Sequence, residues 1–231
     1  MLVGHFAIGL IGKRVAARAS IGALVLASML ADMLGFVFIL AGLEHWRIVP
    51  GGRGIESMEL YDIVWSHSMA MVVLWGVLFA VLYRWRRRYG SGTLVVFVAV
   101  VSHWILDFIS HRPDMPLAPG VSGVYGLGLW TSSRWTLVVE GGLWLASLIV
   151  YMRMTQAKKR AGTYVFWLVV ALLTLSWLSN FMGSAPPAAQ DPVSGSIAAL
   201  VFFSLMMAWA FWMDRLRPVR KSHRDSVTPF S

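Results

Sequence analysis

The stretch Gly92-Thr-Leu-Val-Val-Phe-Val-Ala-Val-Val-Ser102-His103-Trp-Ile-Leu-Asp107-Phe-Ile-Ser110 runs 19 residues without a lysine or arginine. At 1.5 Å per residue a helix over it reaches about 28 Å, close to the roughly 30 Å of a bilayer's hydrocarbon core. It reads as a membrane span. It also carries a histidine and an aspartate four residues apart, in a setting where each polar group needs compensation.

Working outward from it, five more segments are long and apolar enough to cross: roughly 20 to 43, 66 to 83, 135 to 152, 163 to 182 and 195 to 213. The composition of the 231 residues agrees, with 58% hydrophobic against 13% charged and a mean hydropathy of +0.67. A soluble all-β or α/β enzyme is excluded at this point. The 12 Trp and 12 Phe suit a lipid-facing surface with interfacial aromatics, and 21 Gly is compatible with close helix contacts. The expected architecture is all-α, a polytopic transmembrane bundle of about six spanning helices in one domain, residues 1–213, followed by a basic tail, 214–231.

Residues 1 to 12 are apolar but span only about 18 Å as a helix, too short to cross. Lys13 and Arg14 follow this run instead of preceding it, which is not the order of a signal peptide. The segment reads as a half-crossing or re-entrant helix.

Charge supplies the orientation. Sixteen of the 20 basic residues fall in Lys13–Arg18, Arg84–Arg88, Arg153–Arg160 and the tail; only Arg47, Arg53, Arg112 and Arg134 occupy the alternate connections. The positive-inside rule then puts the tail in the cytoplasm and the loops 44 to 65, 111 to 134 and 183 to 194 outside. The net charge of +9 is thus topological, and no nucleic-acid partner is expected.

No cysteine is present, so disulfides, thiolate nucleophiles and Cys-type metal sites are absent and any metal must sit on His, Asp or Glu. Within the spans lie Asp32, His67, His103, Asp107 and Glu140, with His5 in the short first helix and His111 just past the third span. All fall near one depth, just inside the outer surface, and no basic residue in the spans balances the acids. Either the acids stay protonated, or a metal cation gathers them with the histidines. His103 and Asp107, four apart, can hold one ion between them; Ser66-His67-Ser68 and Asp32 join them at that depth. His111 reaches the same ion only if the helix ends there, and Arg112-Pro113 favours that ending. Ser68 and Ser102 are candidates to orient imidazoles or simply to bond their own helices. His45 and His223 read as ordinary loop and tail residues.

The succession Gly4-His5, Asp32, Ser66-His67-Ser68, Ser102-His103-x-x-x-Asp107 resembles the LexA-regulated, membrane-bound metal-dependent hydrolase family of bacterial inner membranes. Ser110-His111-Arg112-Pro113-Asp114-Met115-Pro116-Leu117, Gly126-Leu-Gly-Leu-Trp130, Glu140 and Trp212-Met-Asp-Arg215 resemble one bacterial branch of it. The order of ligands is also similar to the zinc site of phospholipase C and single-strand nucleases. Carried over, the resemblance implies His5, Asp32, His67, His103 and Asp107 as metal ligands, a divalent ion, most simply zinc, and a multi-pass place in the bacterial inner membrane. The chain departs at Ala31-Asp32-Met33-Leu34, where many members carry Pro-Asp-x-Asp; one acid fewer argues against a multinuclear site.

The function expected from this set is metal-dependent hydrolysis at the extracytoplasmic side, with a lipid phosphoester as substrate. With no cysteine and no Gly-x-Ser-x-Gly turn, water activated by the metal is the most economical nucleophile. Asp107 or Glu140 can serve as general base, and His111 faces either a second ion or the substrate. Arg112 and Arg134 either meet an anionic head group or anchor helices at the interface. The Pro- and Gly-rich loop 111 to 134 is a lid or a compact surface loop. Two other classes share the same acids: a proton or ion relay built on Asp32, Asp107 and Glu140, and a non-catalytic membrane protein with a closed structural metal.

Overall fold

The computed structural model describes residues 1–48, 58–182 and 191–220. Arg53, the Pro-rich stretch 183–190, His223 and the rest of the tail from 221 lie outside the described residues. The elements are α1 (Leu2–Val15), α2 (Ile21–Ser28), α3 (Leu30–Leu40), β1 (His45–Ile48), β2 (Met58–Asp62), α4 (Val64–His67), α5 (Met69–Arg87), α6 (Gly90–Ser110), β3 (Met115–Pro116), β4 (Val124–Tyr125), a 3-10 turn (Leu129–Thr131), α7 (Ser133–Met154), α8 (Arg160–Met182) and α9 (Pro192–Leu216).

Helices α5 to α9 are each long and apolar enough to cross a membrane. The chain is a polytopic helical membrane protein. Its exterior shows why: Leu78 and Val81 on α5, Leu94 and Val98 on α6, Leu168 and Leu175 on α8 and Leu205 on α9 are all exposed. In water such a surface would aggregate; against lipid it is the matched face.

The first expected span is broken. α2 and α3 meet at Met29 with a bend of 57°, and counted together they make a sixth crossing. The imidazole of His103, from α6, donates through Nδ1 to the carbonyl of Ser28 at 2.7 Å, right at the break. A side chain that takes a carbonyl at this point is a recognised cause of a kink. The break also moves Asp32 from mid-helix to the first turn of α3, where the helix dipole favours a carboxylate.

The short N-terminal helix is the centre of the bundle. α1 packs against α7, α2, α6 and α8, and Val3, Phe6, Ala7 and Leu10 are fully enclosed in the larger core with Trp144, Tyr151, Phe166 and Leu173. A helix of 14 residues, about 21 Å long, stands inside the ring of longer ones. Gly9 makes the fit possible: a Cβ there would lie 2.9 Å from the backbone Cα of Val25 on α2. A second core joins α2, α5 and α6 through Leu24, Val72, Val96 and Val100.

The basic segments gather at one end. Lys13 Nζ bonds Asp214 Oδ1 at 2.8 Å, Arg18 lies over the ring of Tyr89, and the Lys158 amide donates to the Leu216 carbonyl. α9 runs on to Leu216, taking in the first three residues of the expected tail. Its other end is capped by Asp191, which accepts from the Ser194 hydroxyl at 2.8 Å and from the Val193 and Ser194 amides; these bonds hold its carboxyl below the ordinary range.

At the end away from the basic segments two hairpins, which the apolar pattern does not predict, organise the connections. β1 pairs antiparallel with β2, and His45 sits on that strand with Nδ1 3.1 Å from Asp62. β3 pairs with β4 in the 111 to 134 connection.

Candidate metal centre

α6 carries the central pair. Its apolar, β-branched run continues to Ser110, and the backbone leaves helical geometry at His111, so the ending expected before Arg112-Pro113 is observed. His103 and Asp107 face inward, both buried. Nε2 of His103 stands 3.0 Å from Oδ2 of Asp107. From α1, Nε2 of His5 lies 3.0 Å from the other oxygen, Oδ1. The α-amino nitrogen of Met1 is 2.7 Å from that same Oδ1.

The bend after α2 brings in Asp32, whose Oδ1 is 3.6 Å from His103 Nε2 and 3.5 Å from His67 Nε2. Two triads result, His5, His103, Asp107 and Asp32, His67, His103, each with its ligand atoms mutually within 4.8 Å. The five residues implied by the resemblance are thus brought together from four helices. Both triads use the same His103 nitrogen, and an imidazole nitrogen offers one lone pair, so only one ion at a time takes His103 as ligand.

The donor set fits a divalent ion. Two ligands about 2.0–2.1 Å from a tetrahedral zinc are about 3.3 Å apart; the separations here are 3.0, 3.5 and 3.6 Å. Three imidazoles and two carboxylates with no sulfur suit zinc and similar ions. The strongest sign is one atom. Nδ1 of His103 must donate, because a carbonyl only accepts, which leaves Nε2 of the neutral ring with its lone pair. That Nε2 is buried and lies 3.0 Å from Asp107 Oδ2 and 3.6 Å from Asp32 Oδ1.

His67, at the end of α4, is held from outside. Ser66 Oγ lies 2.6 Å from its Nδ1, and the same hydroxyl donates to Glu44 Oε2 at 2.5 Å. Glu44 is fully buried, and the composition of its loop gives no sign of this, since its partners Trp65 and Ser66 follow some twenty residues later. Ser68 caps α5 and Ser102 bonds the Ala99 carbonyl of its own helix, so neither hydroxyl orients an imidazole.

His111 stands beside the centre, with Nε2 3.9 Å from Asp107 Oδ1 and Nδ1 3.1 Å from Asp114 Oδ1. The ring of Trp130 covers it at a centroid distance of 4.5 Å. The loop that carries Trp130 is a compact one. Leu127 and Gly128 donate to the carbonyls of Phe108 and His111, Ala70 donates to Leu117, and Met115 is fully buried. Gly126 is required there, since a Cβ would fall 2.5 Å from the His111 carbonyl oxygen.

A cavity of about 360 Å³ opens onto the centre. Asp32, His67, Asp107 and His111 are among its polar lining residues, with Ser176 and Asn180; Phe36, Ile39, Phe202 and Phe203 are among its apolar ones. Glu140 is buried on α7 and accepts the Gly4 amide at 3.3 Å, but it does not line this cavity. Neither Arg112 nor Arg134 lines it either: Arg134 is exposed in the first turn of α7 and Arg112 partly buried after α6.

Residues 1–184 match the family described as YdjM inner membrane protein. No curated protein and no solved structure matches the chain.

Proposed function

The chain belongs to the YdjM inner membrane protein family, and we propose that it is a metal-dependent hydrolase acting on a lipid phosphoester from the extracytoplasmic side. One observation carries the reading: Asp32, His67 and Asp107 of the cluster His5, Asp32, His67, His103 and Asp107 line a cavity whose remaining lining is mostly aromatic and aliphatic. Such a cavity suits an amphiphile, with its linkage at the ligands and its chain along Phe36, Phe202 and Phe203.

A divalent ion in this centre supplies Lewis acidity, positive charge for phosphoryl oxygens and acidity to water. The protein's own groups divide the remaining work. Asp32 is the most open of the cavity-lining ligands, with its side chain 24% exposed, so the substrate approaches past it. His111, with Nδ1 held by Asp114, keeps Nε2 available to take a proton from water and return it to the leaving oxygen. Trp130 and the pinned loop shield that exchange from bulk water. The cavity has no lysine or arginine among its described lining residues, which leaves Arg112 and Arg134 as interfacial anchors in this reading.

A relay across the membrane needs polar groups on both sides of the cluster. Toward the basic end, Phe6 and Leu10 on α1, Val25 on α2 and Val96 and Val100 on α6 are buried and apolar, and Lys13 at the far end of α1 is paired with Asp214, which favours a dead-ended site. The test is a screen of the purified full chain in nanodiscs against phospholipids and isoprenoid phosphates with zinc or manganese, with Asp107→Asn as control. Release by the wild type alone is expected; equal background release from both proteins overturns the reading.

A further inference from the structure

We propose that Glu44 is a positioning residue that sets the tautomer of His67 through the hydroxyl of Ser66, presenting His67 Nε2 as a metal ligand. The inference rests on the metal-centre reading above, and it starts from a chain of four short contacts. Glu44 Oε1 accepts from the amides of Trp65 at 2.8 Å and Ser66 at 2.6 Å, and Oε2 accepts from Ser66 Oγ at 2.5 Å. The fourth contact, Ser66 Oγ to His67 Nδ1, is 2.6 Å.

A hydroxyl has a single hydrogen. Ser66 gives it to Glu44, so toward His67 its oxygen can only accept, and the hydrogen of that contact belongs to Nδ1. A neutral imidazole with its hydrogen on Nδ1 has its lone pair on Nε2, the atom 3.5 Å from Asp32 Oδ1. The carboxylate, acting through one hydroxyl, also fixes the orientation of the ring. His103 is held in the same tautomer by a main-chain carbonyl, that of Ser28. Two imidazoles of one centre are therefore aimed the same way by unrelated partners.

The relay is closed to water. Glu44 and Ser66 are fully buried, and a Cβ on Gly35 would lie 3.1 Å from both Ser66 Oγ and His67 Cε1, so α3 packs directly over the contact. Glu44 also caps α4 from outside the helix: through Oε1 it accepts the free amides of Trp65 and Ser66 in the first turn, where Ile63 at the N-cap makes no side-chain bond. One oxygen of the buried carboxylate thus serves the helix end, and the other, Oε2, reaches the histidine through Ser66.

Glu44→Gln tests the direction of the chain at nearly constant volume. The two amides keep the glutamine oxygen on their side, so its NH2 group donates to Ser66 Oγ, whose hydrogen turns to His67 Nδ1 and drives the imidazole hydrogen to Nε2. Zinc affinity of the full chain in nanodiscs should fall 10- to 100-fold. Nitrogen NMR of metal-free protein labelled at histidine should show His67 changing from the Nδ1–H to the Nε2–H form. Ser66→Ala should weaken zinc similarly, and Ser66→Thr should restore it; this pair decides the matter if Glu44→Gln does not fold. Wild-type zinc affinity in both Glu44→Gln and Ser66→Ala, or an Nε2–H His67 in the metal-free wild type, overturns the proposal. A wild type that binds no zinc overturns the hydrolase reading instead, and the tautomer measurement then decides the relay by itself.

Discussion

The imidazoles of His5 and His103 stack face to face, with ring centroids 3.7 Å apart and planes within 7°. Each presents Nε2 to a different oxygen of Asp107 at 3.0 Å. Two imidazolium charges at that spacing would repel by on the order of 4 kcal/mol at an effective dielectric of about 20. The pair thus cannot neutralise the acids by both taking protons; the Met1 ammonium, 2.7 Å from Asp107 Oδ1 and 2.9 Å from His5 Nε2, supplies one positive charge, and under the proposed function a divalent ion supplies the rest. His103→Ala, which removes the atom common to both triads, should abolish stoichiometric metal; His5→Ala should weaken it while leaving the Asp32, His67, His103 triad. Elemental analysis of protein purified without chelator checks the order, and full metal in His103→Ala would exclude it as a ligand.

Lys13 and Asp214 tie the first helix to the last. The ammonium is almost fully buried and bonds Asp214 and the Ala19 carbonyl, while Asp214 also accepts the Ile21 amide at 2.8 Å. Breaking a buried pair from one side strands the other charge, at about 3–5 kcal/mol. Asp214→Ala should therefore cost more stability than Lys13→Met, which leaves the carboxylate with its amide and partial exposure. Unfolding of both single variants and the double in detergent measures the coupling; a double variant as unstable as the two single losses summed would show that the pair does not interact.

Close approach of α1 to α2 gives a packing test. Gly9→Ala puts a methyl against the Val25 backbone, which cannot move aside as a side chain can. A loss of about 1–3 kcal/mol is expected. Gly142→Ala, in α7 with nothing within 4 Å of its Cβ, should be neutral or stabilising by up to about 1 kcal/mol. Thermal midpoints that fall equally in both would contradict the assigned packing.

The parts of this structure that were legible in the sequence are those that lipid makes conspicuous. A polar side chain in an apolar run stands out, so His67, His103, Asp107 and Asp32 are conspicuous in the sequence, and the run lengths mark the spans. What the sequence hid was relational. The bend at Met29 depends on a bond to His103, 75 residues away along the chain. Nothing in its own loop marks Glu44, because its partners Trp65 and Ser66 lie beyond an excursion of about twenty residues. The central place of α1 follows from small residues such as Gly9 and Ala7 matched to α2 and α7, which hydropathy cannot register. Glu140 stood out by the same rule as the ligands, yet it serves the Gly4 amide; the rule finds buried polar groups and does not say what they bind.

Orientation has a direct test in a chain without cysteine. Ser122, near the metal-centre end, and Gln156, among the basic segments, are both exposed. In intact cells an impermeant thiol reagent should label Ser122→Cys and spare Gln156→Cys, as the sixteen basic residues on one set of segments predict. The reverse pattern would put the cavity on the cytoplasmic side and exclude extracytoplasmic substrates.

The cavity and the metal centre can be separated by one substitution on α9. Ala199 lines the cavity with Phe202 and Phe203 and takes no part in either triad. Ala199→Phe adds a ring to a space of about 360 Å³ and should block the chain of a lipid while leaving the ligands in place. Bound zinc should stay stoichiometric and the thermal midpoint close to wild type, because the ring enters open volume and does not overpack the core. Hydrolysis in the nanodisc panel should fall by at least tenfold, and most for the substrates with the longest chains. If turnover persists with the ring in place, the substrate does not enter along Phe202 and Phe203, and the proposed route for its chain is wrong.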